Sequence, residues 1–114
     1  MTTLRLAAAL AFCAWSAGSH SSQLTVAECF EASDFIANAA LARDNGVSRS
    51  AFLGRMEDDF ELIQAYPPQL RWFAKDHEDE AFLYDSARRV FDSPQAPEQH
   101  RAQFLAACFD RGVA

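Results

Sequence analysis

Hydrophobic positions recur in four stretches at the three- to four-residue spacing of amphipathic helices, and turn residues punctuate the gaps between them. The first stretch opens at Thr25-Val-Ala-Glu28, a capping box in which Thr25 accepts from the backbone at Glu28 while Glu28 reaches back, with Leu24 and Cys29 spaced as a hydrophobic staple. Phe30, Ser33, Ala37, Ala40 and Leu41 form its predicted inward stripe, with Cys29, Ala32, Ile36 and Ala39 adjoining, until Asn45-Gly46 supplies a left-handed stop. The alanines predict close approach of a neighbouring helix. Ser48 caps a second helix that carries Phe52, Leu53, Met56, Phe60 and Ile63 on one face and Glu57, Asp58 and Glu61 on the other, up to Tyr66-Pro67-Pro68. Neither proline can donate to a helical ladder, so Pro68 opens a short, less regular connector through Leu70, Trp72 and Phe73.

A third helix is predicted from about Asp76 to Phe91, with Leu83, Ala87, Val90 and Phe91 inward, Phe82 and Tyr84 flanking, and Ser93-Pro94 as its stop. Pro97 opens the last, whose stripe is the Arg101 stem, Phe104, Leu105, Cys108 and Phe109, ending at Gly112. The fold expected is all-α: a small bundle of four main helices plus a short connector helix, forming one domain over residues 20–114, with no internal repeat and no low-complexity linker. Ten Phe among 114 residues, 50% of them hydrophobic, make a core feasible at this size. Four Gly and four Pro are too few for a sandwich of short strands.

The N-terminus changes the picture of compartment. One charge, Arg5, precedes the apolar run from Leu6 to Trp15, and small residues then place a cleavage site near residues 18 to 19, so residues 1–19 read as a secretory signal peptide. The run falls short of the roughly 20 residues that span a bilayer, which argues against an uncleaved anchor and against stable membrane insertion afterwards. Leu10-Ala-Phe-Cys13 resembles the bacterial lipoprotein box, except that Phe12 stands where that family carries a small residue. An exported chain, periplasmic or secreted, meets an oxidising environment. Cys29 and Cys108 are the two cysteines outside the leader, each on a predicted inward stripe, and a disulfide between them is expected; closing a loop of about 80 residues stabilises by roughly 4.5 kcal/mol in the chain-entropy model.

The formal net charge is -6, and -7 once a leader containing only Arg5 is removed. No basic stripe is present to displace counterions from nucleic acid or to meet anionic lipid, so neither is an expected partner. The acidity is concentrated. Residues 57 to 85 hold nine of the sixteen acidic side chains against Arg71 and Lys75, a local net charge of -7, interleaved with aromatics. Asp58, Asp59, Glu78, Asp79 and Glu80 around Tyr66, Trp72 and Phe73 form the candidate docking face for a basic protein, since charge steers encounter and rings anchor it. The alternative is that the rings are core and the carboxylates a solvated rim.

Candidate catalytic chemistry is thin. His77-Glu78 begins the zinc-protease motif, but Ala81 stands where its second histidine belongs. His77 and Glu80, one turn apart, would bind a divalent ion only if Asp58 or Asp59 approached from the neighbouring helix. The carboxylate pairs lack any sign of the burial that acid–base catalysis needs. Ser48 and Ser50 lack a nucleophile-elbow context, there is no C-x-x-C, and His20 and His100 have no constellation around them. No cofactor and no enzymatic activity are expected.

With the leader, Cys29, the segment Ala42-Arg-Asp-Asn-Gly-Val-Ser48, the segment Arg89-Val-Phe-Asp-Ser-Pro94 and Cys108 together, the mature chain resembles small exported helical proteins of Gram-negative bacteria and their phages. The resemblance implies a periplasmic setting and a cysteine-stapled bundle, and it transfers no catalytic residue. The leading functional expectation is an exported interaction module such as an immunity protein or inhibitor; the alternatives are an acid-activated periplasmic chaperone and a divalent-metal-binding protein.

Overall fold

The computed structural model describes residues 24–114, so the leader expected at residues 1–19, Cys13 with it, lies outside the described residues. Four helices follow one another: α1 (Val26–Asp44), α2 (Arg49–Ile63), α3 (His77–Asp92) and α4 (Pro97–Asp110), with a single 3-10 turn at Pro68–Leu70 between α2 and α3. The local signals act as expected. Thr25 Oγ1 accepts from the Glu28 N–H at 3.0 Å while Glu28 Oε1 accepts from the Thr25 N–H at 3.0 Å. Ser48 Oγ caps α2 through the Ala51 N–H, and Asp76 caps α3 through the Asp79 N–H. Gly46 and Gly112 take the left-handed φ values, 96° and 93°, that end α1 and α4 at no steric cost. α2 closes at Ile63, short of the prolines, and residues 64–66 form a turn.

The helices alternate in direction, and contacts at their ends fix the register. Cys29 near the start of α1 is disulfide-bonded to Cys108 near the end of α4, with Cα atoms 5.9 Å apart. At the opposite end Arg43 of α1 reaches His100 of α4. Arg49 pairs with Asp92 at 2.7 Å, and Gln64 donates to Glu80 at 2.7 Å, which sets α2 antiparallel to α3. The most extensive helix pair is α1 with α4, made possible by a buried face of Cys29, Ala32, Ser33, Ala37, Ala39 and Ala40 that lets two backbones come close. A parallel bridge, Leu24 to Val113, and the Ala114 N–H bonded to the Leu24 carbonyl at 2.8 Å hold the two ends of the domain together.

The core runs from the disulfide through Ile36, Leu53, Met56, Leu83, Val90 and Phe104. Phe73 sits at its centre, fully buried, with ring centroids 5.8 Å from Phe104 and 6.2 Å from Phe82. Its φ of 29° is a left-handed value that a bulky residue adopts only when packing outweighs the strain. Two residues assigned to the inward stripe of α1 lie outside it: Phe30 and Leu41 are about half exposed. At about 100° per residue Phe30 is displaced by that angle from Cys29, and the disulfide turns Cys29 squarely at α4. Phe30 is left at the seam, edge-on to Phe109 at 5.8 Å.

Candidate functional site

α2 is the least covered helix, burying only Leu53 and Met56 fully. Its solvent face carries Glu57, Asp58, Asp59 and Glu61, all exposed, in the C-terminal half of the helix. Glu61 alone of these lies in the last turn, the negative end of the helix dipole, where cations are the stabilising residues, and no basic residue stands in that turn. Among the described residues only Asp59 of these four makes an ion pair, a 3.6 Å contact with exposed Arg55. The two cations of the acidic block are turned away from it. Lys75 Nζ lies 2.7 Å from Glu28 Oε2 and donates to the Arg71 carbonyl, and Arg71 donates to the Tyr66 and Lys75 carbonyls.

The residues expected to form the docking face are divided by the fold. Asp58, Asp59, Glu78, Tyr66 and Trp72 are exposed, Tyr66 by 56% and Trp72 by 42%. Glu80 is half-buried, accepting from Gln64. Phe73 and Asp79 are not part of any surface, and both assignments are corrected. Phe73 is the central core ring. Asp79 is 4% exposed because the start of α3 turns it toward the C-terminus, where it accepts from Arg111 Nη2 at 3.0 Å and from the Lys75 N–H at 3.2 Å. Burial raises its pKa above the ordinary value, partly offset by Arg111, whose guanidinium also stacks 4.5 Å over Phe82. His77 is almost fully exposed, 3.6 Å from Glu80, and the two face Glu57 and Glu61 across a shallow recess, with neither Asp58 nor Asp59 among its lining. Among the described residues no group of three or more His, Cys, Asp or Glu could hold a metal ion.

Beside the carboxylates the structure opens an apolar groove of about 240 Å³ between α1, α2, the connector and α3. Buried Met56 and Leu83 form its floor, and Phe35, Phe60, Ile63 and partly exposed Trp72 its sides, with Asp59 as its acidic residue. Leu62 at the end of α2 and Leu70 in the connector, 69% and 70% exposed, are further apolar side chains at the surface. Sequence periodicity left out Leu62 and placed Leu70 in the connector without marking it as exposed. The signal that could have found them was Leu62 itself, a large aliphatic on the polar side of a helix whose apolar stripe already ends at Ile63.

Two polar networks lie outside the groove lining. Glu28 serves both the α1 cap and Lys75; burial alone would raise its pKa, but the hydrogen bonds from Lys75 and Thr25 outweigh burial and hold it low. At the other end Arg43 donates to the Val90 and Gln95 carbonyls at 2.7 and 2.8 Å, and buried His100 accepts from the Gln95 N–H at 3.0 Å. Burial, then the charge of Arg43, depresses the His100 pKa, with Asp44 opposing. Ser48 and Ser50 lie together at the start of α2, where Ser48 is spent as the cap. Comparison of the chain with protein-family models, with curated proteins and with solved structures finds no match.

Proposed function

We propose that this chain is an exported interaction module, of the immunity-protein or inhibitor kind, that binds a basic protein through the α2 and connector face and catalyses no reaction. Export is supported by the signal-like residues 1–19, by the disulfide, and by the resemblance to small exported helical proteins of Gram-negative bacteria. No described helix is long and apolar enough to cross a membrane. The observation that carries the reading is the cluster of exposed Glu57, Asp58, Asp59 and Glu61 on α2, with Asp59 lining one groove with partly exposed Trp72. Among the described residues Asp59 alone of the four has an ion-pair partner, so most of the mutual repulsion in the cluster is uncompensated, which is the pattern of a functional surface.

The test is affinity capture from a native periplasmic extract, with wild type compared against a variant in which Glu57, Asp58, Asp59 and Glu61 become Lys. All four side chains are exposed, so the variant should fold, and circular dichroism checks that it does. A basic protein recovered by wild type, lost from the variant, and released as salt rises is the expected result, because screening at physiological ionic strength confines exposed charges to about 8 Å. Identical capture by both forms would overturn the reading. A second reading, acid-activated chaperoning, draws on the apolar Leu62, Leu70 and Trp72 already at the surface among titratable carboxylates. Suppression of aggregation of unrelated clients at acid pH alone would favour it.

A further inference from the structure

We infer that the groove between α1, α2, the connector and α3 receives the apolar side chains of an amphipathic, Lys- or Arg-flanked helix of the partner; the inference rests on the proposed function and specifies how that surface binds. Three observations select this occupant. The volume, about 240 Å³, lies below the roughly 300–1,000 Å³ of sites that enclose whole small molecules, so the groove suits anchoring side chains of a larger body. Its lining is aromatic and aliphatic, yet Asp59 lies within it, and Phe60 is shared between the groove and the recess that holds Glu57, Glu61 and Glu80. An apolar anchor seated there therefore brings flanking positions one helical turn away against carboxylates, the arrangement that a helix with apolar residues on one face and cations on either side complements. Finally, the described residues contain one isolated bridge and no strand, so there is no sheet edge among them to which an extended peptide could add.

Trp72 supplies a reporter at the groove itself. The chain has two tryptophans, and Trp15→Phe leaves Trp72 as the only indole in the full chain. The probes are synthetic helical peptides of about 18 residues, long enough to be helical in isolation: one with Leu at i, i+4 and i+7 flanked by Lys, one with the same Leu flanked by Glu, and one with the Lys kept and each Leu replaced by Ser. The expected result is a saturable change in Trp72 emission with the Leu/Lys peptide, and binding at least about tenfold weaker for both other peptides. Asp59→Lys, at an exposed side chain whose only ion-pair partner among the described residues is Arg55, should weaken the Leu/Lys peptide and leave the fold intact. Equal binding of the Ser/Lys peptide overturns the groove inference while leaving a charge-driven partner standing. Equal binding of the Leu/Glu peptide overturns the basic character of the occupant, and no response to any peptide overturns the site. Trp72 emission that shifts with protein concentration alone, together with dimer in sedimentation, assigns the groove to a second copy of this chain and overturns the inference as well.

Discussion

His100 is buried where gaining a proton removes a structural bond. Its Nε2 accepts from the Gln95 N–H, 3.4 Å from Arg43 Nη1, and Arg89 lines the same crevice, so the imidazolium would lose an acceptor and face a cation at once. The folded pKa lies below the ordinary 6.5, so below pH 6.5 the unfolded chain binds more protons than the folded one and stability falls until the folded pKa is passed. Thermal melts should therefore show a drop from pH 7 toward pH 5 that is absent in His100→Gln, which retains an acceptor and cannot be protonated; an equal drop in both would show that His100 is not the source. Asp79 has the opposite sign. Its raised folded pKa means that the folded chain binds more protons just above pH 3.8, so its contribution grows as pH falls through that window, while Glu28, held low, loses its contribution there. Neither role was legible in the sequence, because the partners come from afar: Arg43 stands 57 residues from His100, and Arg111 stands 32 residues from Asp79. Local pattern placed Asp79 in the exposed acidic docking face, because nothing within a turn of it indicates burial.

At the scale of the elements, what depends on neighbours within one turn was legible. The Thr25 box, the Ser48 cap, the Gly46 and Gly112 stops and Pro97 at the first position of α4 all act as their spacing predicts. Helix phase was legible only coarsely, since periodicity defines a stripe and the disulfide decides which edge of it faces α4, leaving Phe30 and Leu41 at the seam. The caps give two stability predictions of opposite sign. Thr25→Ala should cost about 1 kcal/mol, within the roughly 0.5–2 kcal/mol of measured caps. Ala96 has the extended backbone of an N-cap, φ -63° and ψ 148°, but no side-chain acceptor, so Ala96→Ser should stabilise by about 1 kcal/mol, a shift in Tm of about 4–8 °C. Calorimetry of the two variants checks both, and an Ala96→Ser variant no more stable than wild type would mean that Pro97 already fixes the start of α4.

For the whole molecule, the staple and the open face are complementary. The disulfide locks α1 to α4 over a sequence separation of 79 residues, and its removal as the Cys29→Ser, Cys108→Ser pair should cost about 2–5 kcal/mol in denaturant unfolding, against a total of about 5–15 kcal/mol for a domain. α2, off that clamped pair, carries exposed Leu62 and four exposed carboxylates. The fold class followed from periodicity and the block of acid followed from composition, but the groove beside it required the connector to fold back and set Trp72 against Phe35, 6.1 Å away, which no local pattern encodes. The molecule also carries its own control surface, the seam of Val26, Phe30 and Phe109, which is apolar and exposed but lies outside the acidic block. Amide chemical-shift mapping of the labelled full chain titrated with the Leu/Lys helical peptide compares the two directly. Shifts concentrated on Met56 to Trp72 and on Leu83, with the Phe30 and Phe109 seam unmoved, are expected; shifts centred on that seam, or none on α2 and the connector, would contradict the assignment of this face to a basic partner.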